Sequence, residues 1–523
     1  MVGGGWCAGG FFDVCFSIPL TGKSHRIGPV FYLGRWPIIG EQLLLFSEES
    51  SGIITRMFHT EIRSVHFVGI AGTAMASAAV AMRERGFEVT GSDQNVYPPM
   101  STFLANNQIE VMNGYAEKNL AHKPDLVVIG NAISRGNPEA EAVLEHRLRY
   151  CSLPELVREF FIRGKRAIVV AGTHGKTTTS ALLTWVFEHN GLNPSFLIGG
   201  LPLNLQRGAR FNESQWIILE GDEYDTAFFD KRSKFVHYMP EIAIINNVEF
   251  DHADIFRDLQ AVQTAFDHLI RLIPRNGMLL ANGDDPNLAP LIGVKFCPVR
   301  TFGLGEGNHW RATNLRLGAT ASRFSTPNHD YHINLVGEFN VRNALAVVAC
   351  ARHCELTNQQ IQSAFDTFKG VKRRMEIRGV EGGVVVIDDF GHHPTAIRET
   401  ISALRLKYPT ARLWAVFEPR TNTTRRRVFQ DQLPGAFMGA DLVVIAQVDR
   451  LAMLPPEQRL DPAKLVADLD AAGKPAVYLP DVEAIIDHLV KNVQGGDVVC
   501  IFSNGAFGNI HSKLLARLAG KQI

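Results

Sequence analysis

The sequence predicts an α/β protein of three domains, in which Rossmann-like domains at the two ends flank a central domain built around a phosphate-binding loop. Three observations support this fold class. The chain has 523 residues, and at roughly 150 residues per domain this length corresponds to about three domains. A buried strand followed by a turn and a helix recurs in successive blocks of the chain. Hydrophobic residues make up 46% and charged residues 20% of the sequence, which is ordinary for a globular protein and excludes a largely disordered one.

The first block, predicted as a domain over residues 61–163, begins with RSVHFVGIAGTAMASAAVAMRERGFEVTGSD. A buried strand at Val65–Val68 leads into the turn GIAGTAM, a helix of small residues, and a second strand that ends at Asp93. Gly69 and Gly72 form a GxxG turn, whereas the dinucleotide fingerprint requires GxGxxG. Backbone N–H groups at the start of such a helix can bind a diphosphate. Because the turn lacks the third glycine of the fingerprint, NAD is a less expected ligand. A tight turn without a ligand is the alternative.

The second block, predicted as a domain over residues 164–370, contains VVAGTHGKTTTSALL at positions 169–183. Val170 stands where the Walker A pattern GxxxxGK[ST] has its first glycine. The features that remain are Gly172, Gly175, Lys176 and Thr177. They supply backbone N–H groups for the phosphates, a lysine charge, and a hydroxyl for Mg²⁺. We therefore predict a nucleotide-binding P-loop domain.

Two acidic segments, WIILEGDEYD and IAIINNVEFDHADIF, follow buried strands of the same block. The carboxyl ends of parallel strands meet at one edge of a sheet, where ligands of α/β proteins bind. Carboxylates gathered there repel one another unless a cation lies between them, which predicts Mg²⁺. A histidine in this group suggests a second metal position or a phosphate contact. Helix capping would explain one of the two segments, but not both. The polar side chains are Glu220, Asp222, Glu223, Asp225, Asn246, Asn247, Glu249, Asp251, His252 and Asp254.

The third block, predicted as a domain over residues 371–523, repeats the strand–turn–helix theme. Its segments are VVVIDDFGHHPTAIRETISAL, LWAVFEPRTNTTRRRVFQDQL, ADLVVIAQVDR and DVVCIFSNGAFGNIHSKLL. Each begins with a short apolar run that ends in a polar or glycine-rich turn, which is typical of strands in a doubly wound sheet. The block therefore predicts a second Rossmann-like domain, whose last strand enters the glycine-rich turn FSNGAFG.

Residues 1–60 precede the first convincing strand and are predicted to be an extension without function. The opening segment MVGGGWCAGGFFDVCFSIPL lacks a basic n-region, and Asp13 interrupts its apolar run, so it is a poor signal peptide. Met57 stands just before the first strand. We expect residues 1–56 to reflect a misplaced start codon, which N-terminal sequencing of the native protein would test.

Charge and hydropathy argue against several classes of function. The formal net charge is +0, which gives no support to a general nucleic-acid or membrane-surface role. No apolar run approaches the roughly 18 residues of a transmembrane helix. The seven cysteines contain no CxxC pair, a pattern that suits a reducing cytoplasm. We therefore expect a cytoplasmic protein that acts on small molecules, as a monomer or weak homodimer.

Six segments resemble the motifs of the Mur ligase family, in the family's order: GTHGKTTT, EGDEYD, NNVEFDH, GEFNVRNALA, KRRMEIRG and DDFGHHPTAI. The resemblance covers about residues 60–520, and six motifs in order are highly specific. It implies three domains that bind a UDP-sugar, ATP and the incoming amine donor. It also implies the reaction: ATP phosphorylates a substrate carboxylate, an amine attacks the acyl phosphate, and an amide forms as phosphate leaves.

The resemblance also implies roles for individual residues. The ATP contacts would be Gly172, Thr173, His174, Gly175, Lys176, Thr177, Thr178, Asn343, Arg374 and Asp389. The UDP-sugar would be bound by Gly69, Ile70, Ala71, Gly72, Thr73 and Asp93. Mg²⁺ would be held by Thr177, Glu220 and His252, with Glu223 as a close competitor of Glu220. Lys176, His252 and Glu220 would act in catalysis.

One departure from the family pattern concerns the second metal. Several members carry a carbamylated lysine, a second-metal ligand, on the helix after the DH motif. The matching stretch LQAVQTAFDHL has Gln263 at about that position and no lysine. The resemblance therefore implies that a second metal is held differently or more weakly in this chain.

Two loops indicate which amine donor the protein uses. Their sequences are EYDTAFFDKRSKFVHYMPEIA and FEPRTNTTRRR. They differ from the loops of members that add L-alanine to UDP-N-acetylmuramate. They resemble those of members that add the tripeptide L-Ala-γ-D-Glu-meso-diaminopimelate in peptidoglycan recycling. The tripeptide carries several carboxylates, which arginine binds in a bidentate fork. Candidate peptide contacts are Arg420, Asn422 and His392, whereas Arg425, Arg426 and Arg427 are either further contacts or a solvated helix face.

Three alternatives remain at this point. The first is an L-alanine ligase with an unusual acceptor loop. The second is a nicotinamide dehydrogenase, suggested by the glycine-rich turn and Asp93, which leaves the P-loop and the acidic segments unexplained. The third is a non-catalytic nucleotide-binding regulator, for which Lys176 or the metal-binding acids should be missing.

Overall fold

The computed structural model describes residues 55–57, 60–94, 96–97 and 100–520. In these residues the chain forms three α/β domains, and none of their helices is long and apolar enough to cross a membrane. Most of the predicted extension lies outside the described residues. Its last part includes the strand Thr55–Met57, which pairs antiparallel with Thr60–Ile62.

The N-terminal domain contains a five-stranded parallel sheet. Its strands lie side by side in the order Glu110–Asn113, Glu88–Asp93, Ser64–Val68, Leu126–Ile129, Tyr150–Ser152. The strand order reverses beside Ser64–Val68, so the turn GIAGTAM lies at the switch point where doubly wound sheets bind ligands. The predicted strand–turn–helix–strand unit is therefore confirmed. The helices are Thr73–Glu84, Met100–Asn106, Pro138–Glu145 and Leu153–Val157, with a π-helical turn at Arg158–Ile162 and a 3₁₀ turn at Glu117–Leu120.

The central domain is built on an eight-stranded sheet, parallel except for one antiparallel pair at its edge. Its strand order is Ala209–Arg210, Ser195–Leu197, Trp216–Gly221, Arg166–Ala171, Ile242–Ile245, Met278–Asn282, Val299–Gly303, Trp310–Arg311. A separate antiparallel sheet of Thr313–Leu317, Ser322–Thr326 and His329–Ile333 was not predicted. The helices are Lys176–His189, Leu259–Ile270, Glu338–His353 and Asn358–Thr367, with 3₁₀ turns at Lys234–His237 and Ala289–Leu291.

The C-terminal domain contains a six-stranded sheet that is parallel except at Glu376–Glu381. The order is Glu376–Glu381, Val384–Asp389, Val498–Phe502, Leu413–Phe417, Leu442–Ala446, Ala476–Leu479. The helices are Pro394–Lys407, Leu433–Ala436, Pro462–Ala471, Val482–Asn492 and Ile510–Ala519. Four 3₁₀ turns lie at Arg427–Phe429, Leu451–Met453, Pro456–Gln458 and Phe507–Asn509.

The hydrophobic cores connect the domains unequally. One cluster includes Phe160 and Phe161 of the N-terminal domain together with Phe235 and Phe266 of the central domain. Phe161 also stacks on Phe211 of the central domain, with the ring centroids 4.3 Å apart. By contrast, the two clusters assigned to the C-terminal sheet contain only residues of that domain. The N-terminal and central domains therefore share a hydrophobic core, whereas mainly polar contacts link the C-terminal domain to the central domain.

Candidate active site

A cavity of about 1780 Å³ lies between the central and C-terminal domains. Its walls are the P-loop, both acidic strand ends, and the turns that follow three neighbouring C-terminal strands. These C-terminal turns meet because Val384–Asp389, Val498–Phe502 and Leu413–Phe417 are adjacent and parallel. Ligands of α/β sheets bind at such carboxyl ends, so the cavity is the candidate active site.

The P-loop connects the buried strand Arg166–Ala171 to the helix Lys176–His189. Gly175 has a φ of +78°, and a Cβ there would lie 2.5 Å from Asn343 Oδ1. Glycine is required because the backbone is left-handed and the space is occupied. The predicted adenine contact Asn343 therefore lies directly against the loop, on the helix Glu338–His353.

Lys176 and His252 share one buried carboxylate. Lys176 Nζ lies 2.7 Å from Glu223 Oε2, and His252 Nε2 lies 3.3 Å from Glu223 Oε1. Burial alone would raise the pKa of Glu223, but the Lys176 charge and the His252 hydrogen bond outweigh it and lower the pKa to about 2. Burial acts to lower the pKa of His252, but the hydrogen bond and the charge of Glu223 outweigh burial and raise the pKa of His252. The lysine is therefore held as a cation beside the phosphate-binding turn.

Thr177 is attached to the other glutamate. Its Oγ1 donates a hydrogen bond to Glu220 Oε1 at 2.7 Å, and the Gly199 N–H donates to Glu220 Oε2 at 2.6 Å. Burial, and then the Asp222 charge, raises the pKa of Glu220. Two oxygen ligands on an octahedral Mg²⁺ lie about 3 Å apart, which is close to the Thr177–Glu220 spacing. The residues present therefore fit Mg²⁺.

Arg374 of the C-terminal domain contacts the Thr177–Glu220 pair. Its Nη2 donates a hydrogen bond to Thr177 Oγ1 at 3.2 Å. Asp389 fixes the turn that carries Arg374, since it accepts the N–H groups of Met375 and Gly391, each at 2.8 Å. Burial raises the pKa of Asp389, although the positive charge of Arg374 acts to lower it. The two predicted nucleotide contacts of this domain thus lie together, and Asp389 positions Arg374.

Glu249 joins the P-loop to the C-terminal domain. Thr395 Oγ1 donates to Glu249 Oε2 at 2.7 Å. The same oxygen lies 3.5 Å from His174 Nε2 and 3.4 Å from His393 Nδ1. These contacts bring together two motifs that are far apart in sequence, NNVEFDH and DDFGHHP.

Arg420 extends along the cavity wall over the backbone of Gly505. A Cβ at position 505 would lie 2.5 Å from Arg420 Nη1. The guanidinium is 3.8 Å from Glu418 Oε1, and the Arg420 side chain is 49% exposed. Its donors are therefore accessible from the cavity.

The other predicted peptide contacts lie at the domain junction. Asn422 Nδ2 donates to Asp254 Oδ2 at 2.6 Å, and His392 Nε2 lies 3.5 Å from Asp251 Oδ2. Asn422 and His392, like Arg420, line the cavity. The junction thus places the candidate peptide-binding residues opposite the acidic strand end of the central domain.

The run of three arginines does not line the cavity, and it is not on an α-helix. Arg425 contacts Asn422, and Arg426 contacts Gln458. Arg427 begins the 3₁₀ turn Arg427–Phe429. The segment is therefore not a helix face, and a contact of these arginines with the peptide stays a prediction.

Gln263 and the first glycine-rich turn lie apart from the cavity lining. Gln263 Nε2 donates to the Asn287 carbonyl at 2.7 Å. In the N-terminal domain, Gly69 has a φ of +88°, and the Ala71 N–H donates to Asp93 Oδ2 at 3.0 Å. The residues predicted to bind the UDP-sugar, Gly69 to Thr73 and Asp93, thus form one local structure at the sheet edge.

Three family models match consecutive parts of the chain. They are the Mur ligase family catalytic domain over residues 64–164, the Mur ligase middle domain over 170–351, and the Mur ligase glutamate ligase domain over 373–505. A ligase of Escherichia coli, named UDP-N-acetylmuramate–L-alanyl-γ-D-glutamyl-meso-2,6-diaminoheptandioate ligase, is 44% identical over 87% of this chain and 98% of its own length. The chain belongs to the Mur ligase family.

Other relatives of this Mur ligase support the same placement. A UDP-N-acetylmuramate–L-alanine ligase of Polaromonas is 33% identical over 88% of this chain and 99% of its own. The crystal structure of a murein peptide ligase from Psychrobacter arcticus superposes with a TM-score of 0.67 and 35% identity, covering 88% of this chain and 99% of that one. The predictions of a three-domain α/β ligase are confirmed, and the dehydrogenase alternative is wrong.

The sequence predicts most of this Mur ligase's cavity residues, but not all of their hydrogen-bond partners. The sequence offers Glu223 as a metal ligand but does not predict its contacts with Lys176 and His252. Gly199 and Thr395, which contact Glu220 and Glu249, are not among the predicted site residues. Both follow recognisable signals, since Gly199 lies in a Gly-Gly pair after a strand and Thr395 lies at the start of a predicted helix. The roles of individual residues stay predictions.

Proposed function

We propose that this Mur ligase joins UDP-N-acetylmuramate to L-alanyl-γ-D-glutamyl-meso-diaminopimelate at the expense of ATP, and so acts in peptidoglycan recycling. The observation that carries the proposal is the 44% identity to the Escherichia coli ligase named for this tripeptide, against 33% to the Polaromonas L-alanine ligase. The accessible guanidinium of Arg420 in the cavity supports it, because a peptide with several carboxylates requires cationic contacts.

The proposed reaction has two chemical steps. A carboxylate oxygen of the muramate attacks the γ-phosphorus of ATP, the bond to the β-phosphate oxygen breaks, and ADP leaves. The alanyl amine then attacks the acyl carbon, the bond to phosphate breaks, and the amine releases a proton as the amide forms. The acyl phosphate must be shielded from water, which closure of the two domains over the cavity would provide.

The chain's own groups would serve the first step. Lys176 would exchange its contact with Glu223 for a phosphate oxygen, since its ammonium already lies at the P-loop. Mg²⁺, held by Thr177 and Glu220, would neutralise charge on the phosphates. Arg374, which reaches Thr177 from the C-terminal domain, would couple nucleotide binding to closure.

The proposal is tested by phosphate release from ATP, Mg²⁺ and UDP-N-acetylmuramate, with the tripeptide compared with L-alanine. We expect release with the tripeptide and little with L-alanine. Release with L-alanine alone would instead support the second candidate, a biosynthetic L-alanine ligase, which the Polaromonas relative favours. ATP turnover that ignores every amine would support the regulator alternative.

A further inference from the structure

Glu139 is a buried acid that lies outside the cavity. The described residues include three buried glutamates, and the other two, Glu220 and Glu223, line the cavity. Glu139 is the second residue of the helix Pro138–Glu145 in the N-terminal domain, and its side chain is fully buried. Acidic side chains are rarely buried to this extent unless they are paired. None of the roles proposed above uses Glu139, so its burial requires a separate explanation.

Hydrogen bonds connect Glu139 to two segments of the N-terminal domain. Ser92 Oγ, near the end of the second strand of the domain, donates to Glu139 Oε2. The Ala116 N–H donates to Glu139 Oε1 at 3.3 Å, and Asn119 Nδ2 donates to the same oxygen. One carboxylate oxygen is therefore bound by the strand, and the other is bound by the loop of residues 114–119.

Ser92 supports the turn that is predicted to bind the UDP-sugar. The Ser92 carbonyl accepts the N–H groups of Gly69 and Ile70, at 2.8 and 3.1 Å. A Cβ at Gly91 would lie 2.5 Å from Ile70 Cδ1, so the strand and the turn are in close contact. The position of Ser92 therefore determines the position of the turn.

The loop of residues 114–119 supports Asp93, another predicted UDP-sugar contact. The Gly114 N–H donates to the Asp93 carbonyl at 2.8 Å, and Tyr115 Oη donates to Asp93 Oδ1 at 3.4 Å. Asn119, which donates to Glu139, also donates to the Gly114 carbonyl at 2.9 Å. The carboxylate of Glu139 thus lies behind both supports of the predicted UDP-sugar site.

The Glu139 carboxylate is charged at neutral pH. Burial acts to raise the pKa of Glu139, but the contact with His66 and the hydrogen bonds from Ser92 and Asn119 outweigh burial and lower the pKa. His66 Nε2 lies 3.6 Å from Glu139 Oε2. An ionised carboxylate offers only acceptors, and hydrogen bonds to a charged group are stronger than those between neutral groups. The strand and the loop are therefore held firmly.

We infer that Glu139 is a positioning residue for UDP-sugar binding, whose carboxylate holds the Gly69–Thr73 turn and Asp93 in one arrangement. Because Glu139 is fully buried, it cannot contact the substrate itself, and it acts through Ser92 and the loop of residues 114–119. Contact residues that further hydrogen bonds hold in place lose less freedom when a ligand binds. The inference rests on the proposed binding of UDP-N-acetylmuramate by this turn.

Calorimetric titration with UDP, without ATP or peptide, tests the inference. Glu139→Ala removes the acceptor, and we expect UDP to bind at least about tenfold more weakly, since a displacement of about 1 Å in a positioning group can cost about 100-fold. Glu139→Gln should bind UDP nearly as well as the unmodified protein does. Its amide oxygen can accept from Ala116 and Asn119, and its amide N–H can donate to Ser92 Oγ, which accepts as well as donates. Glu145→Gln is the matched control, because it makes the same change at an exposed position of the same helix.

Steady-state kinetics separate a positioning role from a purely structural one. Glu139→Ala should raise the KM for UDP-N-acetylmuramate, with little change in the KM for ATP or in kcat at saturating substrates. A variant that merely lost folded protein would have a lower kcat and unchanged KM values. An unchanged KM for UDP-N-acetylmuramate, an equal rise in the KM for ATP, or the same defect in Glu145→Gln would overturn the inference.

Hydrogen exchange observes the turn directly, and Ser92→Ala provides a milder change should Glu139→Ala unfold the domain. In either variant the amides of Gly69 and Ile70 should exchange faster than in the unmodified protein, whereas those of the P-loop, residues 172–176, should not. Unchanged protection of both amides would contradict the inference. Failure of the unmodified protein to bind UDP would overturn the proposed function as well, whereas equal UDP affinity of Glu139→Ala would overturn the inference alone.

Discussion

Replacing Gly505 with alanine is expected to impair tripeptide use by displacing Arg420, without unfolding the domain. The new Cβ would lie 2.5 Å from Arg420 Nη1 and 2.7 Å from its Cδ and Cζ. Non-bonded heavy atoms prefer separations of about 3.5 Å, so the guanidinium must retreat by about 1 Å. Gly505 has no positive φ, and its backbone bonds to Arg373 and Ser503 can remain.

The size of the effect follows from the contact that would be lost. A hydrogen bond to a charged group contributes about 1.5–3 kcal/mol, which corresponds to about 10- to 100-fold in kcat/KM for the tripeptide. The change in the free energy of unfolding should be below about 1 kcal/mol. The Arg420 side chain that must move is 49% exposed, and its ion pair with Glu418 is long, at 3.8 Å, so little stabilisation is lost. The KM for ATP should change little.

Steady-state kinetics on four proteins would test this reasoning. Gly505→Ala and Arg420→Ala should have similar defects, and the double variant should be no worse than Arg420→Ala, since the added methyl group then meets no guanidinium. Gly435→Ala is the matched control, because a Cβ there meets nothing within 4 Å. Additive defects in the double variant, or an equal rise in the KM for ATP, would refute the proposed role of Arg420.

Three further predictions concern the metal, acid stability and the core. Glu220→Gln should raise the Mg²⁺ concentration required for half-maximal phosphate release by about tenfold or more, because one oxygen ligand loses its charge; an unchanged Mg²⁺ dependence would favour the competing glutamate. Burial opposes ionisation of Asp230, but hydrogen bonds from Arg232 lower its pKa to about 2. The carboxylate therefore stabilises the fold above its ordinary pKa near 4, and this contribution, about 1 kcal/mol once solvent screening is included, is lost as pH falls towards 2. Asp230→Asn should accordingly flatten the loss of urea stability between pH 4 and 2, and an unchanged acid limb would contradict the assignment. Trp414→Phe should lower the free energy of unfolding of the C-terminal domain by about 1–3 kcal/mol, since the indole N–H donates to buried Asp497 at 2.9 Å; denaturant unfolding at neutral pH would measure it.

The local pattern of the sequence accounts for the fold class and for much of the cavity. Apolar runs that end in Gly69, Gly172 or Asp389 predict strands that enter turns, and these turns lie at sheet edges as expected. Such predictions succeed because alternation, helical periodicity and turn chemistry are properties of neighbouring residues. These patterns did not predict the antiparallel sheet at Thr313–Ile333, because its strands are short and mostly half-exposed.

Contacts between distant motifs could not be read from the same patterns. Thr177 and Lys176 are adjacent in sequence, yet they bind different glutamates, Glu220 and Glu223. That choice depends on which way each side chain leaves the helix and on the curvature of a neighbouring strand end. The contact of Glu249 with the C-terminal domain depends further on how two separately folded sheets approach each other.

The unequal distribution of hydrophobic clusters has a thermodynamic consequence. Separating the N-terminal and central domains would expose the aromatic rings around Phe161, whereas separating the C-terminal domain would mainly exchange polar contacts for water. Exposure of apolar surface produces a large heat-capacity change, and exposure of polar surface does not. Opening of the C-terminal domain should therefore have a small heat-capacity change and a weak dependence on temperature. Differential scanning calorimetry should show the first two domains melting as one unit and the third as another.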